Sequence, residues 1–253
     1  MTMRPREGLR SGARGRSARW CVVVLVIALT GLAGCGGTDD QAVPLTSVPQ
    51  LPDPIRVSPA DGELRLLYLG DSITRGSGAS SYAESFREVT TATLRASTDV
   101  DEQEVAKGGA RLSEIARIAT PIAIADIVVV QLGTNDLLSP PTPAEVFANQ
   151  YRTLLMAVRA ANPGSAVLCL GVWRPPASAE PFDSAIRDEC VSERSRFLPM
   201  SDLFAEEEFR GPDGRVALGE GGRSDNFHPN DLGHRAIANR IVGVLRLERP
   251  AGT

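Results

Sequence analysis

The sequence predicts an α/β domain in which a parallel sheet is covered by helices on both faces. Three observations predict it. From Glu63 onward, short runs of β-branched and aliphatic residues alternate with segments of helix length, as in consecutive βαβ units. One run, Ile127-Val-Val-Val-Gln-Leu132, is almost wholly apolar, as a strand buried on both faces must be. Turns bearing glycine, asparagine and aspartate follow directly after these runs, where open parallel sheets hold their ligands.

The elements follow in order. Residues 1–34 hold six arginines against one acid, Glu7, and Trp20–Ala33 is an apolar run of 14 residues. That is the length of a signal-peptide core, short of the roughly 20 residues that span a bilayer. The run ends in Leu32-Ala33-Gly34-Cys35, which resembles the lipobox of bacterial lipoproteins. By that resemblance Cys35 becomes the first mature residue and carries lipid, which anchors the chain to the cell envelope outside the cytoplasm. Several acyl chains anchor stably at about 0.8 kcal/mol per buried methylene. An ordinary secretory signal or an uncleaved anchor is the plainer alternative. Residues 35–62 carry prolines at 44, 49, 52, 54 and 59 and read as an extended tether, about 80 Å long at roughly 3.1 Å per residue, that adds nothing to the core.

Residues 63–253 then form one domain. Strands are expected at Leu64–Leu69, Asp101–Ala106, Ile127–Leu132 and Ala166–Val172, with a weaker one near Phe197–Pro199. Ile127–Leu132 belongs at the centre of the sheet. Thr142-Pro143-Ala144-Glu145 reads as a capping box with proline at the first helical position, and Asn162-Pro163-Gly164 as the stop of the same helix. Phe147, Tyr151, Leu154, Leu155 and Val158 make its apolar stripe, a core face.

Charge excludes one class of partner. Without residues 1–34 the chain keeps 21 basic and 30 acidic residues, about −9, and Lys107 is its single lysine. A nucleic-acid binder needs clustered basic residues on one face, so nucleic acid is not an expected partner.

Chemistry gathers behind the strands. Gly70-Asp71-Ser72 follows the first, Lys107-Gly108-Gly109-Ala110-Arg111 the second and Gly133-Thr134-Asn135-Asp136 the third, while Asp225-Asn226-Phe227-His228-Pro229 lies near the C-terminus. Singly, each is an ordinary turn sequence. In this order and at these strand ends they resemble the SGNH or GDSL hydrolase family, over about Leu64 to Leu247, with Ser72, Gly109, Asn135 and His228 at its four characteristic positions. The resemblance implies a flavodoxin-like three-layer α/β/α sandwich.

Residue chemistry fits that resemblance. A serine hydroxyl needs a positioned base, and imidazole has a suitable pKa. Asp225, three residues before His228, is near enough in a turn to hold the other ring N–H. The family uses the same Asp-x-x-His arrangement. It also implies an oxyanion hole of the Ser72 and Gly109 backbone N–H groups and the Asn135 amide. Gly108 competes with Gly109; the family's glycine is usually followed by a small residue and then threonine or arginine, and by that resemblance Ala110-Arg111 favour Gly109. The family often places an asparagine a few residues earlier, and none stands between Val100 and Lys107.

Asp231-Leu-Gly-His234 repeats the spacing. It is expected at the start of the last helix, with His234 as a structural residue. The two Asp/His pairs have no third histidine or thiolate beside them, so neither a metal nor any other cofactor is expected. For Cys169 and Cys190 a disulfide and a pair of buried thiols fit equally; an exported chain would meet oxidising surroundings. Trp173, Arg174 and Phe227 stand where they either line the substrate pocket or pack at its rim. Residues 211–222 read as a glycine-rich loop that shapes access or merely connects, and Glu206–Glu208 as solvated surface.

The expected activity is hydrolysis of short acyl or acetyl esters of cell-envelope glycans or lipids through an acyl-enzyme, since no long apolar insertion offers a lid. Acyl transfer to an envelope acceptor, and a non-catalytic binding lipoprotein on the same scaffold, are the alternatives. Natural substrate and oligomeric state stay open.

Overall fold

Alternate side chains of the strands enter two separate cores, one on each side of a single sheet. The computed structural model describes residues 53–59, 62–217 and 222–248. Five parallel strands, β2 (Glu63–Gly70), β3 (Asp99–Ala106), β4 (Ile127–Gln131), β5 (Ala166–Leu170) and β6 (Arg196–Leu198), lie in the order β3-β2-β4-β5-β6. Leu67, Leu69, Val128 and Val130 face one core, and Leu64, Leu66, Tyr68, Ile127 and Val129 the other. This is the period of two that a strand imposes.

Helices α2 (Leu112–Ile118), α3 (Ala144–Ala161) and α4 (Pro176–Ser192) cover the first core, and α1 (Phe86–Arg95), α5 (Ser201–Ala205) and α6 (Asp231–Gly243) the second. The result is the expected α/β/α sandwich. All five residues of β4 are buried and it lies in the middle of the sheet. The edge strand β3 instead alternates exposed polar residues (Asp99, Asp101, Gln103) with half-buried ones, which discourages pairing with another sheet. Behind it, buried Arg87 bonds Glu102 and pairs with Glu104 at 3.0 Å.

Two details differ from the sequence reading, and a third that it left open is decided. Residues 55–57, assigned to the tether, form a strand β1 (Ile55–Val57) that pairs in parallel with a last strand β7 (Leu245–Leu247) and buries Val57. The apolar residues on either side of Arg56 carry the alternation of a strand despite the neighbouring prolines. The capping box at Thr142 does not form: the helix begins at Ala144, and the Thr142 hydroxyl donates to Asp136 Oδ1 at 2.9 Å. A stronger acceptor, an aspartate behind β4, takes it. Cys169 on β5 and Cys190 on α4 form a disulfide, which settles the question the sequence left open. The expected leader, Cys35 and the segment read as a tether lie outside the described residues, apart from residues 53–59 and Gly62.

The chain leaves β2 toward β3 on one side and returns to β4 on the other. The turns after β2 and β4 therefore diverge around one crevice, the switch point at which open sheets bind ligands.

Candidate active site

Ser72 opens the turn after β2 and is half-buried. Its Oγ lies 3.0 Å from His228 Nε2, and His228 Nδ1 lies 2.8 Å from Asp225 Oδ2. The base turn is fixed by its own backbone, because Asp225 Oδ1 accepts the N–H groups of Phe227 (2.9 Å) and His228 (2.6 Å). Burial raises the Asp225 carboxyl, but the backbone N–H and ring of His228 outweigh it and hold its pKa below the ordinary carboxylate range. An ionised Asp225 accepts a hydrogen bond from Nδ1–H, which keeps the ring proton on Nδ1 and leaves the Nε2 lone pair facing the serine hydroxyl. Trp173, fully buried, supports this turn from beneath by donating Nε1–H to the Phe227 carbonyl at 2.7 Å. It is a brace, not a pocket wall.

On the opposite side, Asn135 opens the short turn after β4. Its Nδ2 donates to the Ala110 carbonyl at 3.0 Å and to Asp71 Oδ2 at 3.3 Å. This places Asn135 beside the turn that carries Gly109. Gly109 has a φ of +71° and open space where a Cβ would stand, so the left-handed turn needs glycine there and leaves the backbone approachable. The two turns are tied by Asp136, whose Oδ2 accepts the Leu112 N–H at 2.9 Å. Arg111 adds donations to the Leu138 carbonyl (3.1 Å) and the Pro140 carbonyl (2.8 Å). Ser72, Gly109, Asn135, Asp225 and His228 thus border one crevice.

Two residues here were named in the sequence only as parts of a motif. Asp71 is fully buried and accepts the Ile73 N–H at 2.9 Å as well as the Asn135 amide. Burial pushes its pKa up to about 7 against the lowering effect of the Ile73 N–H and the Gln131 side chain. Asp136 is the second. The available signal was their place, each beside a candidate polar residue just after a buried strand.

His234 is fully buried in the first turn of α6, where Asn230 caps the helix. Its Nδ1 accepts the Phe86 N–H at 3.2 Å and its Nε2 faces the Ser77 carbonyl at 3.0 Å. Burial pushes its pKa down to about 4. Asp231 accepts both the backbone N–H and the hydroxyl of Ser80 at 2.7 Å. Because the Ser77 N–H donates to the Ser72 carbonyl at 2.9 Å, this second pair clamps the segment that follows the serine. Among the described residues no group of three or more His, Cys, Asp or Glu side chains could hold a metal ion.

Residues 68–236 match the model of the GDSL-like lipase/acylhydrolase family. The chain belongs to this family. Solved structures similar to this GDSL-family chain include a family two carbohydrate esterase from Clostridium thermocellum in complex with cellohexaose, at 18% identity and a TM-score of 0.54, covering 71% of this chain and 62% of that one. A phospholipase A1 from Streptomyces albidoflavus NA297 is similar at 16% identity and a TM-score of 0.58, over 72% of this chain and 99% of that one. A two-domain esterase active on acetylated mannans is similar at 18% identity and a TM-score of 0.56, over 76% of this chain and 54% of that one. The chain thus spans less than two thirds of the length of the two carbohydrate-active esterases. Among curated proteins none matches the sequence.

Proposed function

We propose that this GDSL-family chain is a serine ester hydrolase acting on short acyl, chiefly acetyl, esters of cell-envelope glycans. The observation that carries the reading is the continuous path from Ser72 Oγ through His228 Nε2 and Nδ1 to Asp225, at 3.0 and 2.8 Å. Ser72 attacks the ester carbonyl while His228 takes its proton, and Asp225 stabilises the imidazolium. His228 then returns the proton to the leaving alkoxide, and a water deprotonated by His228 cleaves the acyl-serine.

The tetrahedral oxyanion is held by the backbone N–H groups of Ser72 and Gly109 and by Asn135 Nδ2, each donor contributing about 10²–10³ in rate. The 3.3 Å bond from Asn135 to Asp71 is the longer of its two, and the oxyanion competes for that hydrogen. The Gly109 backbone, Asn135 and Arg174 give the crevice a polar border, which suits a small acyl group on a polar alcohol. Carbohydrate esterases with the same fold add support for a glycan ester. Lipid on Cys35 would hold the domain at the envelope surface, where such esters occur.

The test is turnover of p-nitrophenyl esters of increasing chain length by the wild type, Ser72→Ala and His228→Ala. Activity highest on acetate and abolished in both variants is the expected outcome. A preference for long acyl chains would remove the short-acyl assignment, and unchanged activity in Ser72→Ala would remove the mechanism. Adding a glycan acceptor separates hydrolysis from acyl transfer by its product.

A further inference from the structure

We propose that Arg174 selects esters whose alcohol portion carries an anionic group, a carboxylate or a phosphate, close to the scissile oxygen. The proposal rests on the reading of Ser72 and His228 as nucleophile and base. Arg174 lies in the segment after β5, immediately before Pro175, which caps α4, and Pro176, which begins it. Its guanidinium lies 4.6 Å over the Phe227 ring, and Phe227 meets the His228 ring edge-on at 5.1 Å. Its Nη2 donates to the Thr134 carbonyl at 3.4 Å, one residue before Asn135. The cation is therefore held between the base turn and the oxyanion turn, at the crevice itself.

Nothing in the described protein neutralises it at close range. Arg65, Arg152, Arg235 and Arg240 each meet a carboxylate within about 3 Å, and Arg87 meets several. Arg174 forms no ion pair among the described residues. The acid that acts on it electrostatically is Asp71, but the carboxylate of Asp71 is turned to the Ile73 N–H and the Asn135 amide. Burial lowers the Arg174 pKa, as expected of a charge partly stripped of water without a counterion. Arg210 repeats the arrangement on the same aromatic group: it lies 4.4 Å over Phe204, whose ring neighbours Phe227 at 5.9 Å, and it bonds the Asn226 carbonyl at 3.1 Å. In a chain that is acidic once its leader is set aside, the crevice has a cationic border.

The position also indicates which part of the ester is read. His228 Nε2 must deliver the proton to the leaving alkoxide, so substituents of the alcohol spread over the base turn and its neighbours. Phe227 and Arg174 are those neighbours. A planar guanidinium already fixed by stacking loses little further freedom on binding a carboxylate or phosphate. A charge-assisted hydrogen bond of this kind contributes roughly 10–100-fold in binding.

The experiment compares kcat/KM of the full chain on three acetyl esters: a methyl glucoside, the matching methyl glucuronoside and the matching glucose phosphate. Wild type, Arg174→Gln and Arg174→Lys are measured at low and high salt. The expected result is a wild-type preference of about 10–100-fold for an anionic arm, reduced by high salt, brought close to one in Arg174→Gln and partly kept in Arg174→Lys. Whichever anionic arm leads distinguishes carboxylate from phosphate. A wild type with no anionic preference overturns the proposal, as does an Arg174→Gln variant with an unaltered anionic-to-neutral ratio. Binding of the same three compounds to Ser72→Ala, with and without Arg174→Gln, separates this proposal from the hydrolase reading. Anion-selective binding lost with Arg174 sustains the proposal even if no ester is turned over, and unselective binding overturns it even if esters are hydrolysed.

Discussion

His228 and His234 stand six residues apart in the sequence, each three residues after an aspartate, and their surroundings give them opposite tautomers. His228 sits in a turn, where Asp225 folds back onto Nδ1 at 2.8 Å and leaves Nε2 to accept from Ser72. His234 sits in a helix, where Asp231 points instead to Ser80. Its Nδ1 accepts the Phe86 N–H, so the proton resides on Nε2 and is donated to the Ser77 carbonyl. His228 is partly reachable by solvent, with 22% of its side chain exposed, while His234 is fully buried. A spacing of three therefore specifies nothing until the backbone between the two residues is known. In the turn it makes a general base; in the helix it makes a clamp.

Substitution of each histidine breaks this contrast from a different side. The largest effect is expected for His228→Ala, with kcat on an acetyl ester reduced by roughly 10⁴ or more and unfolding free energy moved by about 1 kcal/mol at most. Steady-state kinetics beside a denaturant titration check both parts, and a large loss of stability would undo the contrast. His234→Ala should behave the other way. It removes two buried hydrogen bonds and leaves a cavity, for a loss of about 3–5 kcal/mol and a drop in Tm of about 10 °C. A thermal melt indistinguishable from wild type would refute the clamp.

The pH dependence sharpens the same contrast. His234 titrates near 6.5 when unfolded and about 4 when folded, so between these values the unfolded chain binds a proton that the folded chain refuses. Its contribution is complete above about pH 6.5 and declines as pH falls toward 4, by about 3 kcal/mol in all. Asp71 and Asp183, pushed by burial up to about 7 and about 6, act in the opposite direction and lose stability as pH rises toward those values. The difference between wild type and His234→Gln cancels both aspartates. The deficit of the glutamine variant should shrink by about 3 kcal/mol as pH is lowered from 7 to 4, measured by urea unfolding at each pH; a constant deficit would mean that His234 is not held neutral.

The smallest expected effect joins the two regions. Gly78 has a φ of +91°, and a Cβ there would collide with the Pro229 carbonyl and His228 Cβ. Gly78→Ala should press the clamped segment against the base turn and lower kcat by about tenfold, with a smaller change in KM. Equal kcat in the variant would show that the two turns move independently.

Much of this was legible in the sequence. The apolar run at 127–132 gave the buried central strand, and the turns after three strands gave the candidate residues, because a parallel sheet needs long apolar runs and opens its ligand crevice at their carboxyl ends. Strand β1 was not legible, since Ile55 and Val57 lie among prolines and acquire a strand only by pairing with Leu245–Leu247. Thr142 read as a helix cap because local chemistry favours it, and only the arrival of Asp136 from behind β4 redirects its hydroxyl.

The sequence by itself determined the α/β class, the order of the strands along the chain and the residues able to carry acyl chemistry, because these depend on periodicity and side-chain type. Only the tertiary structure decided that Cys169 meets Cys190, that Trp173 braces rather than lines the crevice and that Arg174 stands beside it without a carboxylate, and only it supplied the contact by which His228, the histidine expected to act as base, reaches Ser72. Those outcomes depend on residues 21 to 156 positions apart being brought together, and local pattern holds no information on which distant donor or acceptor will arrive first.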